Sequence, residues 1–234
     1  NIFENKFINT ISDIKFVFYK YFNKSITFDE DFLFKSNNKL IDQIKNSSKN
    51  IIFVRGYFQN LKLYQGDPHF INLFNIKIKS NNYQNNLNKT PIALHIRRGD
   101  YYDDKKVRKV HGILSDQYFV RSISYFNKLY YNQTKFFIFS DDLDYISKID
   151  YLKNIETEFI FDSDPVSSFI KLSNFQNYII SNSTFSLLAS FISSRKNNLI
   201  NNICVPKIWH NTTLFEDTYL FINDPKIKFN IVEN

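Results

Sequence analysis

From Ile92 to Val205 the chain alternates short apolar runs with longer stretches of helical spacing, and no other feature limits its fold as much. The runs Ile92–Ile96, Lys135–Phe139, Glu158–Phe161, Tyr178–Ile180 and Leu199–Val205 are too short for buried helices and read as strands. Between them, Phe119, Ile123, Phe126 and Tyr130 share one helix face, as do Val166, Phe169 and Ile170, and then Phe185, Leu188, Ala189 and Ile192. Ser115, Ser140 or Asp141, and Asp164 before Pro165 supply helix starts. Strands separated by helices of this length pair in parallel through right-handed crossovers, so an α/β sheet with helices on both faces is expected.

The first part of the chain reads differently. Phe7, Ile11, Ile14, Phe18 and Phe22 recur at helical spacing between Ile2 and Asn23. This helix packs against a core or, given Lys6, Lys15, Lys20 and Lys24, lies on a membrane surface as a peripheral anchor. Lys39 to Lys49 reads as a second, polar helix. Ile51 to Val54 reads as a strand that runs into Arg55-Gly56-Tyr57-Phe58-Gln59, where Tyr57 and Gln59 face a sugar or pack a loop. Asp67-Pro68 opens a helix carrying Phe70, Leu73, Phe74 and Ile78. The polar run Ser80–Lys89 is the expected linker, dividing the chain into residues 1–88 and 89–234.

A length of 234 residues at 43% hydrophobic content suffices for one large or two small cores. The net charge of +7 and pI near 9.2 favour an anionic partner: nucleic acid, a membrane surface or a nucleotide phosphate. The basic residues are scattered, and the run Lys105–Lys109 follows Asp103-Asp104, so nucleic acid is not the expected partner. The single Cys204 forms no internal disulfide and sits in an apolar run that reads as a buried strand. No apolar run approaches the roughly 18 residues of a membrane span and no signal peptide is visible, so a soluble protein is expected, cytoplasmic or peripheral on the cytoplasmic membrane face. The chain has no Met, which points to a fragment or a processed form.

Chemistry is expected where strands end, because ligands of open α/β sheets collect at the carboxyl ends of the strands. Arg97 and Arg98 follow the first strand of the regular part, and two guanidinium forks suit a phosphate or a carboxylate. Gly99 permits a turn or a close approach, and Asp100 holds an arginine or acts as a base. Asp141 and Asp142 follow the next strand and either read a nucleoside or cap a helix. Ser181, Asn182, Ser183, Thr184 and Ser186 lie where a strand gives way to a helix, a phosphate seat or a simple cap. His95 points to the strand face opposite Leu94 and Ile96 as a core residue or a ligand neighbour. His111 precedes Gly112, and His69 and His210 read as structural.

The run His95-Ile96-Arg97-Arg98-Gly99-Asp100-Tyr101 resembles the H-x-R-R-G-D-Y signature of the α-1,2-fucosyltransferases, glycosyltransferase family 11. More distantly it is similar to the H-x-R-x-x-D motif of α-1,6- and protein O-fucosyltransferases. His111-Gly112, Phe139-Ser140-Asp141-Asp142, Ser181-Asn182-Ser183-Thr184-Phe185-Ser186 and Val205-Pro206-Lys207 with Trp209 follow in the family's order, and the likeness holds from about Ile51 to Trp209. The resemblance implies a GT-B-like fold whose C-terminal, Rossmann-type domain binds the nucleotide sugar, preceded by a smaller α/β acceptor-side part. It implies inverting transfer of fucose from GDP-fucose to the 2-hydroxyl of a terminal galactose, with no metal and no cofactor, and it leaves the oligomeric state open. Arg97, Arg98 and the Ser183 region would meet the diphosphate, and Asp141 and Asp142 the nucleoside. His95 would lie against the donor, Asp100 would be the base or orient an arginine, and Asp162-Ser163-Asp164 before Pro165 reads as a cap. The chain departs from the family in lacking a glycine-rich G-G-L-G-N-Q opening, so the N-terminal part is expected to be incomplete. Leu187 and Leu188 stand in place of two tryptophans. An inactive carbohydrate- or nucleotide-binding module and a basic nucleic-acid binder are the rival expectations.

Overall fold

Alternation with a period of two along the strands decides the architecture. In the computed structural model of the chain, Ile92, Leu94 and Ile96 face one side of a sheet while Ala93 and His95 face the other; Phe136 and Ile138 alternate in the same way with Phe137 and Phe139. Apolar residues on both faces require a cover on each, which is the mark of a parallel sheet between helix layers. The structure describes residues 25–29, 51–55, 61, 88–196, 200–211, 213–218 and 221–234, and of 25–29, 51–55 and 196 the backbone alone. The helices expected over 2–23, over 39–49 and after Asp67, the residues Tyr57, Gln59 and His69, and most of the expected linker lie outside the described residues.

The chain forms two units, Asn1–Asn60 and Leu61–Asn234. In the first, β1 (Ser25–Asp29) and β2 (Ile51–Arg55) pair in parallel. The second opens with β3 (Thr90–Ile96), followed by α1 (Gly99–Asp103), α2 (Lys105–His111) and α3 (Asp116–Leu129). Then come β4 (Thr134–Ser140), the one-turn helices α4 (Leu143–Ile146) and α5 (Asp150–Lys153), and the edge strand β5 (Thr157–Phe159). After α6 (Pro165–Leu172), β6 (Asn177–Ile179), α7 (Thr184–Lys196) and β7 (Asn201–Pro206), a small antiparallel pair, β8 (Ile208–His210) and β9 (Thr213–Leu214), precedes the last strand, β10 (Ile227–Val232).

The six long-sheet strands are all parallel and run β10-β7-β6-β3-β4-β5. The chain enters at the middle, builds outward through β4 and β5, then returns to the other side of β3 to lay down β6, β7 and β10. Counted from β3, this is the 3-2-1-4-5-6 order of doubly wound nucleotide-binding sheets, with its switch point between β3 and β6. One face is filled by Tyr118, Phe119, Ile123 and Phe126 of α3 with Ile146, Ile149 and Leu152, and the other by Leu172, Leu187, Phe191 and Ile192 of α6 and α7. Burial in the first of these layers pushes the Cys204 thiol up to about 12, so it stays protonated.

Beyond other shifted strand ends and the unexpected α1, α2, β8, β9 and β10, the elements depart from the sequence reading in three places. The cap of α4 is Asp142, whose carboxylate accepts from Tyr145 N–H, one residue beyond the expected Ser140 or Asp141. Strand β5 stops at Phe159, so only part of the expected Glu158–Phe161 strand pairs, and the exposed Phe161 lies beside an apolar cavity of about 420 Å³ between β5, α4 and α5. Helix α7 is buried nearly all round, with Ser186, Ser190, Ser193 and Ser194 inside; Ser190 and Ser194 return their hydroxyl protons to carbonyls three residues earlier, which removes the polar penalty.

Tyr118 joins α3 to the carboxyl ends of two strands: its hydroxyl donates to the carbonyls of Ile180 (2.6 Å) and Cys204 (3.0 Å) from a fully buried position. Tyr118→Phe leaves the Ile180 carbonyl without that donor and is expected to lower stability by about 1–3 kcal/mol, read from equilibrium urea unfolding.

Candidate active site

The site grows from the end of β3. Past the last ladder pair between β3 and β6, residues 95 and 96 keep strand partners only in β4 and residues 97 and 98 have none, and serine and aspartate side chains supply the missing hydrogen bonds. Ser181 donates its hydroxyl to the His95 carbonyl (2.9 Å) and accepts from Arg97 N–H (2.9 Å). From the β4 side, Ser140 donates to the Ile96 carbonyl (2.8 Å) and Asp141 accepts from Arg98 N–H (2.8 Å). The ends of the two flanking strands, β4 and β6, therefore fix the two arginines.

Their side chains have unequal surroundings. Arg97 Nη2 lies 2.6 Å from Asp100 and Nη1 lies 2.7 Å from Asp141, so two carboxylates share one cation. The Arg98 side chain is 14% exposed, and its Cζ lies over the rings of Tyr145 (3.6 Å to the centroid) and Tyr102 (4.5 Å), with Nε at the long distance of 3.4 Å from Asp142. Its terminal nitrogens have no ion-pair partner among the described residues. Tyr145 is anchored in turn by donating its hydroxyl to Asp116 (2.7 Å), and burial pushes that phenol up to about 12.

Gly99 matters here through its missing side chain. A Cβ at this position would stand 2.5 Å from Asp141 Oδ2, so only glycine lets the carboxylate reach both arginines.

Asn182 and Ser183 are buried, Ser183 N–H donates to Ser181 O (2.7 Å), and α7 begins at Thr184 with its first-turn amides at the crevice. Ser186 donates to Ser183 O (3.2 Å), stiffening that turn. His95 is 6% exposed and tilted against Phe185, its Nδ1 has no hydrogen-bond partner among the described residues, and burial reinforced by Arg97 pushes it down to about 3, so it is neutral. His111, expected from its place before Gly112, closes α2 and stacks on Tyr101 (4.5 Å), which faces Arg97 at 5.5 Å. Gly112, with φ of 72°, supplies the left-handed turn after it. The Asp162–Asp164 run is the cap the sequence suggested: Asp164 accepts from Val166 and Ser167 N–H, and Asp162 pairs with Lys171.

The structure thus brings Arg97, Arg98, Asp100, Asp141, Asp142, His95, His111, Asn182, Ser183, Thr184 and Ser186 to one end of the sheet. Sequence reasoning overlooked Tyr102 and Tyr145, which clamp Arg98, and set His210 aside although its Nδ1 lies 3.1 Å from that of His111. Tyr102 is four residues after Arg98, a spacing that one helical turn would bring together. Tyr145 carries no such signal, because its place depends on where α4 starts.

The model of the family described as glycosyl transferase family 11 matches residues 4–220. The chain belongs to glycosyltransferase family 11. Among curated relatives, this family 11 chain is similar to the alpha-1,2-colitosyltransferase of Escherichia coli, 30% identical over 106 residues that make up 44% of the chain and 36% of the relative. It is also similar to the O-antigen biosynthesis glycosyltransferase WbnK of Escherichia coli, 27% identical over 190 residues, 73% of the chain and 59% of the relative. The chain therefore aligns with less than two thirds of either relative. Among solved structures, POFUT1 in complex with GDP matches with a TM-score of 0.35 at 15% identity, covering 69% of the chain and 56% of that protein. POFUT1 in complex with GDP-fucose gives 0.30 at 13%, with 70% and 55% covered. The doubly wound assignment rests on the strand order. Among the described residues no helix is long and apolar enough to cross a membrane.

Replacing Gly99 tests the knot. In an exposed helix Gly→Ala is ordinarily stabilising by about 1 kcal/mol, whereas displacing a charge-assisted hydrogen bond costs about 1.5–3 kcal/mol, so Gly99→Ala is expected to destabilise. In an Asp141→Ala background the same change is expected to be neutral or stabilising, and a urea-unfolding double-mutant cycle reads the difference.

Proposed function

We propose that this family 11 chain carries the nucleotide-sugar half of an inverting glycosyltransferase that moves L-fucose from GDP-fucose to the 2-hydroxyl of a terminal galactose in a glycan, without a metal ion. The observation that carries the proposal is Arg98: a guanidinium over two tyrosine rings at the switch point of a doubly wound sheet, its terminal nitrogens without an ion-pair partner among the described residues, beside the N-terminus of a 13-residue helix. A helix N-terminus and an oriented fork suit a diphosphate better than any other common ligand.

As the C1–O bond breaks, charge grows on the leaving diphosphate. Arg98, Arg97 and the first-turn amides of α7 meet it with donors already in place. Asp141 and Asp100 hold Arg97, and Asp142 is divided between the α4 cap and Arg98, leaving carboxylate edges for the nucleoside at the β4 loop. Each of these carboxylates is committed to a guanidinium or a backbone amide, a donor set that favours arginine over a divalent ion as the neutralising charge. Leu187 and Leu188 follow the Ser-Thr-Phe-Ser run; Leu187 is buried, so its replacement of an aromatic residue alters packing inside the sheet–α7 layer.

Transfer of labelled sugar to a panel of galactosides, with GDP-fucose and the matching colitosyl donor compared, is the test. Arg98→Ala is expected to fold normally and lose turnover on the order of 10²- to 10³-fold. A variant that keeps the wild-type rate would remove Arg98 from the machinery, and tight GDP binding with no transfer to any acceptor would favour the inactive-module alternative.

A further inference from the structure

A transfer to a sugar hydroxyl also needs a group that takes the hydroxyl proton, and the carboxylates near the arginines are poor candidates because each faces a cation. Among the described residues, a pair of neutral imidazoles lies at the same end of the sheet. His111, at the end of α2, and His210, at the end of β8, present their Nδ1 atoms to each other at 3.1 Å. Two nitrogens at that distance share one proton, so one Nδ1 donates and the other accepts. Of the two Nε2 atoms, one therefore bears hydrogen and the other bears a lone pair. A single buried side chain sets the pair: Asn182 Nδ2 donates to the carbonyls of His111 (2.6 Å) and Trp209 (3.0 Å), tying the backbones that carry both rings to the loop of Ser183.

Building on the glycosyl-transfer function above, we propose that His111 is the general base of the reaction and that His210 is its positioning residue, accepting the His111 Nδ1 proton so that His111 Nε2 stays bare. His111 is the catalytic ring because it stacks on Tyr101, whose own ring faces Arg97, while its partner in β8 lies edge-on to Trp209. In the step, the acceptor O–H bond breaks and its proton goes to His111 Nε2. The oxygen forms the new bond to C1, and the old C1–O bond breaks with its electron pair leaving on GDP. The resulting imidazolium is stabilised by Asp100 and by delocalisation of the shared proton toward His210. Burial lowers both rings, His210 to about 4, and keeps the resting pair neutral; Asp100 opposes the shift at His111 and Arg97 adds to it.

The test has two independent readouts. In the full chain with its GDP-sugar donor, His111→Gln is expected to lower kcat by about 10²-fold or more while GDP affinity by calorimetry stays at the wild-type value, since general base catalysis typically contributes 10²–10⁴-fold. His210→Gln, whose amide oxygen still accepts from His111 Nδ1, is expected to keep far more activity than His210→Leu. The wild-type rate should fall at acid pH as His111 gains a proton among Arg97, Asp100, Tyr101 and His210, and that limb should vanish in His111→Gln. Imidazole nitrogen-15 spectra of the wild-type chain should show a protonated Nδ1 and an unprotonated Nε2 at His111. A protonated His111 Nε2, or a His111→Gln variant at the wild-type rate while Asp100→Asn loses it, would overturn the assignment. Absence of any transfer by the wild-type chain would instead sink the glycosyl-transfer proposal, so the two failures are distinguishable.

Discussion

Side chains, not strands, hold the backbone amides of Arg97 and Arg98 and complete the bonding of His95 and Ile96, which pair only with β4. The sheet opens at the switch point between β3 and β6, and there the hydroxyls of Ser181 and Ser140 and the carboxylate of Asp141 take over the hydrogen bonding that a ladder would have supplied. A strand neighbour would have buried this stretch. Side-chain partners satisfy the same groups and leave the arginines at the mouth of a crevice. Gly99 is the steric condition for it, since a methyl group there would occupy the space of the Asp141 carboxylate.

The charges around that backbone show which effect dominates. Three aspartates accompany two arginines, an arrangement that at first sight opposes anion binding. Yet exposed ion pairs contribute at most about 1 kcal/mol, and the Asp100 side chain is half exposed, so its hold on Arg97 gives way readily to a diphosphate. Arg98 is different. Stacking on Tyr102 and Tyr145 fixes its plane without neutralising its charge, a way to preorganise a cation that an additional carboxylate would defeat. The histidine pair is tied through Asn182 to the loop that carries Ser183, so the proposed diphosphate seat and the proposed base are mechanically one piece.

Much of this was legible in the residues. The alternation of short apolar runs with stretches of helical spacing indicated a parallel sheet between helices, and the strand ends marked Arg97, Asp141 and Ser183 as neighbours although 86 positions separate the first from the last. Spacing could not say which aspartate caps α4. Asp141 and Asp142 are chemically equal in the sequence, and only the reach of the Arg98 amide sends the first to the arginines and the second to Tyr145 N–H. Nor could it place Tyr145 or His210, because each meets its partner across elements whose separation is set by packing: Arg98 lies 47 positions from Tyr145, and His111 lies 99 from His210. Helix α7 misled for another reason: a one-sided apolar pattern was expected, but serines that bond their own helix can be buried as readily as alanines.

The most direct measurement is a crystal structure of the chain with GDP bound. The account predicts diphosphate oxygens within hydrogen-bonding distance of the Arg98 terminal nitrogens and the first-turn amides of α7, with the Arg98 ring stack intact. GDP seated elsewhere, with Arg98 still stacked and touching no phosphate, would contradict it.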